Sequence, residues 1–192
     1  MNSVVPLLRR LWRKRRLRRK PAAPDAPRFV DGETFFHLGE AVALRVTQDE
    51  AVALGCLREG DALRVNLAAA LSAQNLREEA RLELLLWYKR EARRDFRERL
   101  AVWAARLDVG HGRMIVTSPR RRWGSCNYRN DIRLNWRLML LPPTLIDYVV
   151  AHELCHVRHK HHGKSFWAEL AGVMPDWKTR RQCLRQWEGR HW

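Results

Sequence analysis

Residues 145–157 restrict most what this chain can become. Leu145, Ile146, Tyr148, Val149, Val150, Ala151, Leu154, Cys155 and Val157 place apolar side chains all round a helical wheel, which predicts a helix buried on nearly every side. Inside it stand three ionisable residues, His152, Glu153 and His156. Such groups are costly to bury unless they are paired or bound to a metal. His152 and His156 are four residues apart, so a helix carries both imidazoles on one face, one turn apart. Two imidazoles so placed can grip one metal ion, and Glu153 beside them is a candidate general base of the HExxH pattern. Embedding in a buried helix argues against a chance match to so short a motif.

A catalytic site of this kind needs a third protein ligand and an open position. His159 is three residues past His156; on a continuing helix its ring extends the line of the first two and does not close a tetrahedron. His161 or His162 can close it after a turn, for which Gly163 supplies a position. Glu169 on the following segment is the rival, because two histidines and a glutamate also form such sites. Spacing does not choose among them. Cys155 lies about 100° round the helix from His156 and is expected to pack in the core.

Charge divides the chain unevenly. Of 37 Lys and Arg against 21 Asp and Glu, net +16, nine basic residues fall in positions 1–20, where there is no acid. Pro21, Pro24 and Pro27 follow and favour extended backbone. Residues 1–27 therefore read as a basic, disordered tail with a proline-rich linker, and 28–192 as one domain. The tail is a candidate contact for nucleic acid or an anionic surface. Cys56, Cys126, Cys155 and Cys183 are widely separated with no CxxC pair, which argues against a disulfide-stapled secreted module. No apolar run approaches the roughly 20 residues of a membrane span. The short apolar stretch of the N-terminus precedes its basic run, the reverse of a signal peptide. The expected address is the cytoplasm.

Ahead of the buried helix, Phe36 and Leu38, then Val42, Leu44 and Val46, then Leu63, Val65 and Leu67 alternate, predicting a small antiparallel β layer. His37 lies in it and reads as an ordinary strand histidine. A long amphipathic helix is expected over residues 75–107, with Asn75 and Glu78 as a capping box and Leu82, Leu85, Tyr88, Ala92, Phe96, Leu100, Trp103 and Leu107 as its apolar stripe. Gly110 and Gly112 end it, and a strand follows over 113–118. Residues 123–126 read either as a wall of the site or as a tight turn at Gly124. A polar turn through Asp131 then leads to Ile132, Leu134 and Trp136 as the second arm of a hairpin. Asn135 and Arg137 read as surface positions or substrate contacts, and Tyr148 as core or cleft lining. Thr144 and Asp147 are placed as N-cap and N3 of the buried helix. Phe166, Trp167, Leu170 and Val173 then form a closing helix, and Trp177, Leu184 and Trp187 a short last one.

Several of these segments together resemble one known family. They are Arg122-Trp123-Gly124-Ser125-Cys126, Ile132-Arg133-Leu134-Asn135-Trp136-Arg137-Leu138, the run from Asp147 to His156, then His162, Phe166-Trp167 and Pro175-Asp176-Trp177-Lys178. In this order they resemble the YgjP-like metallopeptidase domain, a family of small zincins related to the WLM proteases that include DNA-associated enzymes. The likeness covers roughly residues 35–184 and leaves the basic tail outside. It implies an α+β, zincin-like domain in which the β layer and the long helix frame the HExxH helix. It implies zinc as cofactor and a protein or peptide substrate. The family's third histidine stands ten residues after the first, so the resemblance implies His152, His156 and His162 as metal ligands with Glu153 catalytic. The expected activity is that of a zinc metallohydrolase, a metalloendopeptidase acting through a zinc-activated water with Glu153 as base. Two alternatives are a zinc-dependent nucleotide (phosphoanhydride) hydrolase, for which there is no glycine-rich phosphate loop, and a zinc-stabilised nucleic-acid-binding module.

Overall fold

The computed structural model describes residues 27–69 and 71–187. The basic run of positions 1–20 lies outside these residues, as does nearly all of the linker. The architecture is α+β, with two small sheets and four helices among the described residues.

The first sheet holds β1 (Thr34–His37), β2 (Glu40–Thr47), β3 (Gly55–Glu59) and β4 (Ala62–Asn66) in the order β1-β2-β4-β3. β1 pairs with β2 and β3 with β4 in antiparallel fashion, but β2 and β4 run parallel. The layer is therefore mixed, not wholly antiparallel as the alternation suggested. The cause is the connection after β2. Asn66 donates to the carbonyls of Asp49 and Val52 and accepts from the Asp49 N–H and the Thr47 hydroxyl. That loop carries β3 to the far edge, and its hairpin partner β4 returns parallel to β2.

Helix α1 (Ala73–Leu107) packs against this sheet. Ser72 is its N-cap and accepts from the Asn75 N–H at 3.4 Å, so Asn75 is inside the helix and not its cap. From Tyr88 onward the buried face is the expected one: Tyr88, Ala92, Phe96, Leu100, Trp103 and Leu107. Before Tyr88 the sheet takes Ala80, Leu84 and Trp87, while Leu82 is left 37% exposed. Leucines at 82, 84, 85 and 86 surround the helix, so three-and-four spacing has more than one solution there. The helix stops at Asp108, whose left-handed backbone (φ 52°) closes it ahead of either glycine.

The second sheet is β5 (Met114–Thr117), β6 (Gly124–Cys126) and β7 (Ile132–Asn135), ordered β5-β7-β6. β6 and β7 form the expected antiparallel hairpin, and β5 lies parallel to β7 on its other side. A 3-10 turn over Trp136–Leu140 leads into α2 (Pro143–Cys155). Pro142 occupies the N-cap with no side-chain cap bond, which displaces Thr144 and Asp147 from the expected capping roles. Asp147 instead accepts from Arg99 Nη1 at 2.6 Å and Trp103 Nε1 at 3.1 Å, fastening α2 to α1. Leu145, Ile146, Val149, Val150, Ala151, Leu154 and Cys155 are all buried. Helices α3 (Lys164–Val173) and α4 (Trp177–Arg185) pack on α2 from the other side. Among the described residues no helix is long and apolar enough to cross a membrane.

Candidate metal centre

Helix α2 sets His152 and His156 on one face with ring centroids 5.1 Å apart. It ends at Cys155, and the chain then folds back on itself: the His159 N–H donates to the Cys155 carbonyl at 2.9 Å and the Gly163 N–H to that of His161 at 2.8 Å. This return puts His162 Nε2 2.9 Å from His152 Nε2. One nitrogen from each of His152, His156 and His162 lies within 4.8 Å of the others, the one such grouping of His, Cys, Asp or Glu among the described residues. Phe166 is fully buried beneath the three rings, its centroid 4.7–4.9 Å from each. Trp167 donates from Nε1 to the His162 carbonyl at 3.1 Å and stacks on its ring at 5.5 Å.

The other candidates for a third ligand point elsewhere. Glu169 accepts from Arg158 Nη1 at 2.7 Å and pairs with His159 Nε2 at 3.0 Å. His161 is exposed and outside the cluster. His159 lies past the helix end, and its carbonyl is 2.8 Å from His156 Nδ1. That bond puts the proton on Nδ1 and leaves the His156 Nε2 lone pair available. His37 is apart from all this, buried in β1, with Arg58 Nη1 2.7 Å from its Nδ1.

Electrostatics keep the three imidazoles neutral. Burial, then His156, His162 and Arg181, bring His152 down to about 3. Burial lowers His156 against an opposing pull from the His159 carbonyl, and lowers His162 together with Arg181 and His161. Neutral imidazole is the form that ligates metals. Nitrogens on a tetrahedral zinc at 2.0–2.1 Å stand about 3.3 Å apart, so the 2.9 Å separation of His152 and His162 fits an ion after opening by a few tenths of an ångström.

Glu153 is 6% exposed, and burial pushes its carboxyl up to about 8 against the pull of Arg122. Strand β6 lies directly on it: a Cβ added at Gly124 would stand 2.7 Å from Glu153 Oε1. Residues 123–126 thus form a wall, and Gly124 is strand, not turn. A glycine inside a strand pattern signals close approach of another group, and that signal was present in the sequence. Beside Glu153 opens a cavity of about 310 Å³. Tyr148 both packs in the core, at 4% exposure, and lines this cavity, with its ring 5.8 Å from His152. The alternation gave no sign that α4 would supply Arg181, Leu184 and Arg185 to the same cavity. Asn135, expected at the surface, is buried. Its amide donates to the carbonyls of Pro119 and Arg122, and its Oδ1 accepts from the Arg137 N–H. It clamps the loop that carries Trp123, while Arg137 stacks its guanidinium on Trp136 at 4.7 Å.

Neutral imidazoles meeting next to a buried carboxyl group, on an α+β frame, form a cluster that could hold a metal ion. The profile of the YgjP-like metallopeptidase domain matches residues 8–187, and the chain belongs to that family. The match begins inside the basic run, well before the span 35–184 on which the resemblance was read. Membership makes the chain a metallopeptidase, which implies a metal and a protein or peptide substrate. Among solved structures, it is similar to the metallopeptidase zymogen jannalysin of Methanocaldococcus jannaschii, with 18% identity and a TM-score of 0.43 over 47% of this chain and 94% of that one. It is also similar to the metallopeptidase zymogen abylysin of Pyrococcus abyssi, with 19% identity and a TM-score of 0.44 over 46% of this chain and 90% of that one. No curated protein matches the sequence.

Proposed function

We propose that the chain is a zinc-dependent endopeptidase in which His152, His156 and His162 hold the ion and Glu153 is the general base. The observation that carries this reading is the convergence of the three histidine nitrogens within 4.8 Å beside a carboxyl that is 6% exposed. Zinc bound there would supply a Lewis acid that activates a water and polarises the scissile carbonyl. Glu153 takes the proton from the attacking water and returns it to the leaving nitrogen. In the absence of a cation burial keeps Glu153 protonated; a dication close by favours the carboxylate that a base requires. Gly124 packs on that carboxylate and fixes its position. Cleavage of internal bonds is supported by β6, an edge strand of its sheet: an extended peptide can run along such an edge, passing Glu153 with chain on both sides.

The four cysteines are free thiols, which supports the cytoplasm as the working compartment. Nine basic residues at positions 1–20 support an added contact with nucleic acid or an anionic surface through the tail. The deciding experiment compares the parent chain with Glu153→Gln on peptide and nucleoside triphosphate substrates. The variant should keep about one zinc per chain and lose roughly 10²- to 10⁴-fold in peptide turnover. Undiminished proteolysis by the variant would remove Glu153 from the mechanism, and zinc-dependent turnover confined to the nucleotide would replace the peptidase reading by the phosphoanhydride one.

A further inference from the structure

Part of the lining of the cavity beside Glu153 is not used by the hydrolytic step. Tyr148 and Val149 from α2, Leu184 from α4 and Trp123 from the clamped loop line the cavity together with Gly124, His152 and Glu153. The lining also carries two guanidinium groups, Arg181 and Arg185, four residues apart on α4 and therefore on one face of that helix. Glu153 is the single acid in the lining, and its carboxylate is committed to the proton transfers. Some nearby arginines have carboxylate partners: Arg99 pairs with Asp95 and Asp147, Arg158 with Glu169, and Arg180, next to Arg181 in sequence, with Asp176. Among the described residues, neither Arg181 nor Arg185 has one.

Arg181 is also preorganised. Its guanidinium lies over the Trp167 ring at 5.0 Å, and Trp167 is held in turn by a stack on Trp177 at 4.3 Å. A guanidinium stacked by its face keeps its N–H groups in plane, where they match a carboxylate fork. Apolar side chains and guanidinium groups in one cavity suit a carboxylate on a short hydrocarbon stem. The volume, about 310 Å³, is at the small end of the range for ligand pockets.

We infer that this cavity receives a carboxylate of the substrate peptide, either an Asp or Glu side chain next to the scissile bond or a free C-terminal carboxylate, with Arg181 and Arg185 as its partners. The inference rests on the peptidase reading for its substrate and on the cavity for its specificity, and the two fail separately. Arg181 and Arg185 are specificity residues and take no part in proton transfer.

The test uses peptides of one sequence carrying Glu, Gln or Lys at a single position scanned across the cleavage region, each with a free or amidated C-terminus. Equilibrium binding is measured on zinc-loaded Glu153→Gln, which does not consume the peptide, and kcat/KM on the parent. The acidic or free-carboxylate peptide should bind at least about ten-fold tighter than its neutral isostere, as charge-assisted pairing with arginine requires. Whether Glu→Gln or amidation abolishes the advantage distinguishes side chain from C-terminus. On the same Glu153→Gln background, Arg181→Gln and Arg185→Gln should each bring the ratio toward one, Arg185→Lys should restore part of it, and Arg185→Glu should turn the preference toward Lys. Because Arg185 is exposed, its variants leave the core intact even where those at Arg181 disturb the Trp167 stack. Arginine-dependent binding with no cleavage by the parent would support the pocket and reject the peptidase. Cleavage that ignores the carboxylate would do the reverse. A preference that survives both arginine substitutions, or arginine-dependent binding of a nucleoside triphosphate tighter than that of every carboxylate peptide, would overturn the inference.

Discussion

Gly124 presses so closely on Glu153 that any side chain at this position displaces the carboxylate. With a Cβ 2.7 Å from both Cγ and Oε1 of Glu153, Gly124→Ala must move the carboxyl group proposed as the base or open the gap between β6 and α2. A displacement of this size from productive geometry costs on the order of 100-fold in rate. Gly124→Ala should therefore depress kcat strongly while metal analysis still finds about one zinc per chain; unchanged kcat would mean that Glu153 tolerates the shift. The two residues are 29 positions apart, and this decides what could be read in advance. His152 and His156 announce themselves because helical geometry relates positions i and i+4 without knowledge of the rest of the fold. Gly124 has no such local relation to Glu153, so a strand glycine could be seen but not the group it admits. Asn135 is parallel: its three hydrogen bonds reach back to Pro119 and Arg122 and forward to Arg137, and nothing in a hairpin pattern marks it as buried.

The turn between α2 and α3 shapes the site as much as the helix does. Its His159 carbonyl orients His156, and its Arg158 and His159 are both held by Glu169 of α3. Glu169→Gln keeps the shape but removes the charge that secures both partners, so His156 loses part of its orientation. Loss of such an outer partner typically weakens metal binding 10- to 100-fold. Competition with a chromophoric chelator should show zinc affinity down by about ten-fold with the His152, His156 and His162 nitrogens still coordinating; equal affinity would make the pairing decorative. Elements differ in how far sequence alone defines them. The existence of α1, α2, α3 and α4 follows from apolar spacing, but the N-terminal register of α1 does not, because clustered leucines satisfy several stripes and only the sheet selects Leu84 and Trp87. Strand direction was equally hidden. Alternation reports which face is buried, whereas the parallel pairing of β2 with β4 comes from the Asn66-braced loop between β2 and β3.

Across the whole molecule, buried titratable groups give the metal-free protein a narrow range of greatest stability. His37 is lowered to about 4 and His152 to about 3, chiefly by burial. A depressed histidine contributes stability that is complete above the unfolded value near 6.5 and is lost as pH falls toward the folded value. Glu153 has the opposite sign. Raised to about 8, it contributes stability that is complete below its unfolded value of 4.5 and is lost as pH rises through 8. The histidines dominate below 6.5 and Glu153 above it, so unfolding free energies from denaturant titrations in excess chelator should peak near pH 6.5 and fall by at most about 1.4 kcal/mol per pH unit toward pH 8. Glu153→Gln should flatten the alkaline limb and leave the acid limb unchanged; an equally steep limb in the variant would assign the loss to another group. Such an experiment presumes that the chain folds without its ion, and the spacing of the histidines explains why it can. The ring that an ion would close between His152 and His162 spans ten residues, so it removes little chain entropy compared with a cross-link between distant segments. An ion held there would be a local rivet on a ten-residue stretch of chain. On that ground the sheets and the α1–α2 interface are expected to form without it, with the metal loaded afterwards.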